Sequence, residues 1–65
     1  MPRPRLNTQV FLDVADAIRM VAQSDLITEA EFRGISAAAH NIAAKFAERA
    51  QSFDRELFLR NCGVQ

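Results

Sequence analysis

The sequence predicts an all-α fold, a helical hairpin of two long helices followed by a short third C-terminal helix. Apolar residues recur at helical spacing in two long stretches, as in amphipathic helices that bury one face. A capping box, Thr28 to Glu31, separates the two stretches. Gly63 is suited to end the third helix in a left-handed conformation. These observations predict one helical domain over residues 7–65, preceded by a flexible basic arm over residues 1–6.

The first helix is predicted over residues 8–23, with Asn7 or Thr8 as its N-cap. Its apolar positions follow the i, i+3, i+4, i+7 rhythm, and they are Val10, Phe11, Val14, Ala17, Ile18, Val21 and Ala22. Asp16 lies on the opposite face, toward water. Leu12 falls on the same side as Asp16, so we expect it to be partly exposed.

The second helix is predicted over residues 29–51, directly after the capping box. The Thr28 hydroxyl is placed to accept from the Glu31 amide, and the Glu31 carboxylate to accept from the Thr28 amide. The main apolar stripe of this helix is Phe32, Ile35, Ala39, Ile42, Phe46 and Ala50. Because residues 24–28 form a short link, we expect the two long helices to be antiparallel.

The third helix is predicted over residues 54–61, with Ser52 or Asp54 as its cap. It is expected to fold back across one end of the hairpin. Gly63 stands at the position after its C-cap, and Val64 and Leu59 have the spacing of the apolar pair that accompanies a Schellman ending. Whether this helix packs on its own chain or is exchanged with another stays open.

Length and composition favour association with another chain. A 65-residue domain buries only about 60% of its unfolded surface, and its core rarely supplies more than about 3–5 kcal/mol. A single cysteine excludes an internal disulfide. Eight basic and eight acidic residues cancel, so there is no overall attraction to nucleic acid or an anionic membrane. A protein partner, or a homodimer, is therefore expected.

Catalytic, cofactor-binding and metal-binding chemistry has no candidate set of residues. His40 and Cys62 are too few and too distant in sequence for a zinc site, which takes about four ligands. A catalytic triad around His40 would need both a nucleophile and a carboxylate that orients the imidazole, and the sequence does not place this pair at helical spacing from it. The two glycines, Gly34 and Gly63, are too far apart for a phosphate-binding loop. We predict that the chain is not an enzyme and uses no cofactor or small-molecule substrate.

A cytoplasmic location with Cys62 reduced is the expectation from the same sequence. No apolar run approaches the roughly 18 residues of a membrane span. Asp13 and Asp16 interrupt the only stretch that resembles a signal peptide.

Two runs of three large apolar residues point to a protein-binding or dimer face. Val10-Phe11-Leu12 and Leu57-Phe58-Leu59 cannot each turn all three side chains into one narrow core. One residue of each run should therefore be exposed. The contact candidates are Phe11, Leu12, Phe58 and Leu59. The predicted function is a small helical protein–protein interaction module that acts by sterically masking a surface of its partner.

Two alternatives remain open. A small dimeric DNA-binding regulator would use Arg3 and Arg5 of the basic arm. Against it, the second helix begins Glu29-Ala30-Glu31, which would repel phosphates. The other alternative is a structural subunit of a larger assembly.

The segment Phe53-Asp54-Arg55-Glu56-Leu57-Phe58-Leu59-Arg60-Asn61-Cys62-Gly63-Val64 resembles the C-terminal ending of short reading frames of phages and other mobile elements. These often end in a pattern close to F-D-R-x-x-F-L-x-x-C-G. The resemblance covers about a fifth of the chain. The resemblance implies a phage-type accessory protein that binds a host protein and modulates or inhibits it. It brings no known activity, and no functional residues carry over to this chain.

Overall fold

The fold is seen in a computed structural model, which describes residues 7–65. Helix α1 spans Thr8–Ala22, α2 spans Glu29–Arg49 and α3 spans Arg55–Asn61, and this part of the chain contains no strand. The predicted all-α fold, with two long helices and a short third C-terminal helix, is confirmed. The predicted arm of residues 1–6, including Arg3 and Arg5, lies outside the described residues.

The start of each helix is fixed by a side-chain cap. Asn7 Oδ1 accepts a hydrogen bond from an amide in the first turn of α1, and Asp54 Oδ1 does the same for α3, each at 3.0 Å. Thr28 Oγ1 accepts from the Glu31 amide at 3.1 Å, and Glu31 Oε1 accepts from the Thr28 amide at 3.0 Å. The predicted capping box is therefore present. The Thr28 backbone amide, followed by its hydroxyl, lowers the pKa of the Glu31 carboxyl below its ordinary value.

The end of α3 is a Schellman motif, as the sequence predicts. Gly63 has a φ of 76°, in the left-handed region that a residue with a Cβ adopts only with strain. The Gly63 amide donates to the Arg60 carbonyl at 3.1 Å, and the Val64 amide donates to the Leu59 carbonyl at 3.4 Å. These two bonds satisfy carbonyls that the end of the helix would otherwise leave without partners.

The core combines small residues from the long helices with larger ones from α3. Its fully buried members are Ala15, Ala39, Ala43, Phe58, Leu59 and Cys62. Short alanine side chains on α1 and α2 leave room between those helices, and Phe58 and Leu59 fill it. The third helix therefore supplies the large side chains that complete the core.

The face that α1 turns inward is centred on Ala15, which is buried, and not on Ala17, which is exposed. Val21, also assigned to the buried stripe, is 48% exposed. Both corrections have one cause. The third helix packs against the side of α1 that carries Arg19. The buried face of α1 is therefore shifted toward that side, and the side that carries Ala17 faces solvent.

The third helix lies along α1 and does not cross the end of the hairpin. Phe53, just before α3, is 4.7 Å from Phe11 between ring centroids. Gly63, just after α3, lies so that a Cβ there would be 3.6 Å from Arg19 Cγ. Phe11 and Arg19 are about 12 Å apart along α1. The third helix therefore runs in the same direction as α1.

Candidate protein-contact site

Four phenylalanines from different parts of the chain meet at one end of the bundle. Phe11 comes from α1, Phe46 from α2, Phe53 from the link between α2 and α3, and Phe58 from α3. Five pairs of these rings have centroids 4.7 to 5.6 Å apart, tilted or edge to face. This range is favourable for aromatic pairs. The cluster joins all three helices and supports the site described below.

A cleft of about 410 Å³ opens beside this cluster, between the first half of α1 and α3. Phe11, Phe53 and the buried Phe58 form its inner wall. Leu12 from α1 and Leu57 from α3 also line it, and they are 43% and 46% exposed. The cleft therefore has an aromatic interior and two aliphatic side chains at its mouth.

The rim of the cleft is polar, and most of the charged side chains on it and in the adjoining recess are acidic. Neutral hydrogen-bonding side chains on it are Asn7, Thr8, Ser52 and Asn61. Asp54 lines the cleft at the start of α3. Past Leu12 and Asn61 the cleft continues into a shallower recess of about 320 Å³, whose charged residues are Asp13, Asp16 and Arg19. An apolar centre with a polar rim is the usual organisation of a protein-binding surface.

Three of the four contact candidates, Phe11, Leu12 and Phe58, line this cleft, and Leu59 does not. Leu12 is at its mouth, and its predicted partial exposure is confirmed. Phe11 is half-buried in the inner wall. Phe58 and Leu59 are each only 3% exposed, so the expectation that they form an exposed contact face is corrected: both belong to the core, and Phe58 reaches the cleft only as part of its inner wall. They are buried because α3 packs against both α1 and α2 along this face.

Leu57 is the exposed residue of its run, and the sequence contained a signal that identifies it. With Asp54 as the N-cap of α3, Phe53 and Phe58 occupy the two positions of a hydrophobic staple. Their rings are 5.4 Å apart. The staple places Phe58 on the inner side of the helix, and the preceding residue, Leu57, therefore points away from the core.

A second exposed apolar surface lies at the hairpin turn, opposite the aromatic cluster. It consists of Met20, Val21 and Leu26, and Leu26 is 92% exposed. No motif in the sequence marked this surface. None of these three residues lines either of the two clefts.

The remaining chemically reactive side chains lie apart. His40 is exposed on α2, whereas Cys62 is fully buried, and burial raises the pKa of the Cys62 thiol. Within residues 7–65, no three His, Cys, Asp or Glu side chains come together as a metal ion would require. No helix in the same range is long and apolar enough to cross a membrane. Comparison with protein-family models, with curated proteins and with solved structures finds no match to this chain.

Proposed function

We propose that this chain is a small helical protein–protein interaction module that acts by covering a surface of its partner. One observation carries the proposal: Leu12 and Leu57 stand exposed at the mouth of an aromatic-walled cleft. Apolar side chains at the centre of a concave, polar-rimmed surface are typical of sites that exclude water on binding. Covering them would also add apolar burial to a core to which residues 7–65 contribute only six buried residues.

The proposed context is a phage-type accessory protein that inhibits or modulates a host protein in the cytoplasm. The resemblance of residues 53–64 to the ending of mobile-element reading frames favours this context. Steric masking needs no catalytic group and no cofactor, only a surface that fits the partner.

The test compares Leu12→Asp with Val21→Asp. Both positions are on α1 and have similar exposure, 43% and 48%, but only Leu12 lines the cleft. Each tagged variant is used to capture proteins from a nuclease-treated lysate of its source cells, with mass spectrometry of what is retained. We expect both variants to keep the helical circular dichroism of the parent, and only Leu12→Asp to lose the captured partner.

Three outcomes would contradict the proposal. If Leu12→Asp unfolds the chain, Leu12 is a core residue. If both variants lose the partner equally, the cleft is not the contact surface. If capture requires intact nucleic acid and falls steeply with salt, the DNA-binding alternative is favoured.

A further inference from the structure

We infer that the cleft between α1 and α3 takes a basic peptide segment of a partner protein, anchored by one large apolar side chain. This inference rests on the proposed function and specifies the chemistry of the partner. It follows from the shape of the cleft, the charges on its rim and the direction of the two helices.

The apolar lining and the size of the cleft predict that the peptide is anchored by one large apolar side chain. Phe11 and Phe53 present ring surface to the cleft, and Leu12 and Leu57 stand on its two sides. Its volume of about 410 Å³ is at the small end of the range for sites that enclose a ligand. It therefore suits an inserted aromatic or long aliphatic side chain better than a whole helix face.

The charges on the rim of the cleft predict that the peptide segment of the partner is basic. Among residues 7–65, the charged residues that line the cleft and its recess are Asp13, Asp16, Asp54 and Arg19. Three carboxylates and one guanidinium leave two net negative charges there, whereas the whole chain has a formal net charge of zero. Charge complementarity thus favours a basic partner. Within residues 7–65 none of the three carboxylates lies within 4.0 Å of a cationic side chain.

The spacing of the basic residues follows from the parallel course of α1 and α3. Asp16 is one turn beyond Leu12, about 6 Å along α1. Asp54 precedes Leu57 by nearly one turn, so it lies at the other end of the cleft. An extended peptide advances about 3.3 Å per residue. A basic residue about two positions from the anchor on each side would therefore reach one carboxylate at each end.

The probes are three peptides: Arg-Ala-Phe-Ala-Arg, Glu-Ala-Phe-Ala-Glu and Arg-Ala-Ala-Ala-Arg. The second reverses the charge of the first and keeps its aromatic anchor, and the third keeps the charge and lacks the anchor. Each is titrated into the ¹⁵N-labelled full chain while amide chemical shifts are recorded. We expect only the first to move the amides of Leu12, Leu57 and Asn61. Equal shifts with the acidic peptide, or shifts confined to the Leu26 turn, would overturn the inference. So would movement of the same amides when the protein is concentrated alone, because a second copy would then fill the cleft.

Charge variants test the rim. Asp16→Lys should weaken binding of the first peptide about five-fold or more, because an attraction is replaced by a repulsion. Asp54→Asn should weaken it about two-fold, since Asn keeps the N-cap while removing the charge. The matched control is Asp25→Lys, an exposed acidic residue in the turn that lines neither cleft. Equal effects of Asp16→Lys and Asp25→Lys would contradict a specific role for the rim.

The same variants separate this inference from the proposed function. A partner that is lost with Leu12→Asp but retained with Asp16→Lys leaves the proposed function standing and refutes the basic segment. Specific binding of the first peptide, with no protein captured from the lysate by the parent chain, shows that the cleft binds a basic segment with an apolar anchor but counts against the proposed function.

Discussion

The aromatic cluster makes a quantitative prediction, because the same substitution can be made inside and outside it on one helix. Phe46 and Phe32 both lie on the inward stripe of α2, and both are half-buried. Phe46 pairs with Phe11, Phe53 and Phe58 at centroid distances of 4.8, 5.5 and 5.6 Å. Phe32 forms no such ring pair with any residue in the described range.

Replacing each by leucine isolates the contribution of the rings. An apolar exchange of similar volume usually costs less than about 1.5 kcal/mol, which is the expectation for Phe32→Leu. Phe46→Leu also removes three ring contacts, each worth about 0.5–1.5 kcal/mol beyond its buried area. We therefore expect Phe46→Leu to lower the free energy of unfolding by about 1.5–4.5 kcal/mol more than Phe32→Leu. That loss is a large part of the roughly 3–5 kcal/mol that a core of this size supplies.

The measurement is urea unfolding followed by circular dichroism at 222 nm. If Phe46→Leu is already unfolded without urea while Phe32→Leu is folded, the prediction holds. Equal losses in the two variants would refute the reasoning, because the cluster would then contribute no more than an isolated apolar side chain.

Further predictions concern the caps, the glycines and the cysteine. Thr28→Ala should lower the free energy of unfolding by about 1 kcal/mol in urea titrations, since the side-chain half of the capping box is lost; an unchanged midpoint would show that the cap is not needed. Folding lowers the pKa of the Glu31 carboxyl below 4.5. The stabilisation that the ionised carboxylate contributes is therefore fully present above that pH, and it is lost as the pH falls through the folded-state pKa. Glu31→Gln should remove that part of the pH dependence of thermal unfolding. Gly63→Ala should destabilise the chain by about 1 kcal/mol, because the φ of 76° is strained for a residue with a Cβ, although a Cβ there meets no atom closer than 3.6 Å. Gly34→Ala should instead stabilise it by about 0.5–1 kcal/mol, because a Cβ at this exposed helical position has nothing within 4 Å; the same sign for both glycines would contradict this account. The buried Cys62 thiol, with its raised pKa, should react with Ellman's reagent only slowly in the native protein and rapidly in urea. Fast native labelling would show that the end of α3 opens readily.

The beginnings and ends of the helices could be predicted because they depend on neighbouring residues. The Thr28–Glu31 capping box, the Asp54 cap and the Gly63 ending each involve partners within five residues in sequence. The inward stripe of α2 was likewise available from periodicity, because a helix 21 residues long repeats its pattern over several turns. Such features form in the same way wherever the helix is placed.

Only the tertiary structure decided which apolar residues are covered. Periodicity placed Ala17 and Val21 in the core of α1, but the position of α3 along the Arg19 flank shifted the buried face toward Ala15. That position depends on contacts between residues some forty apart in sequence, such as Phe11 with Phe53. The cleft has the same origin: Leu12 and Leu57 both line it because α3 runs alongside α1. The sequence of a single helix determines the spacing of its apolar residues and its caps. Which of its faces is buried is determined by the helices that pack against it.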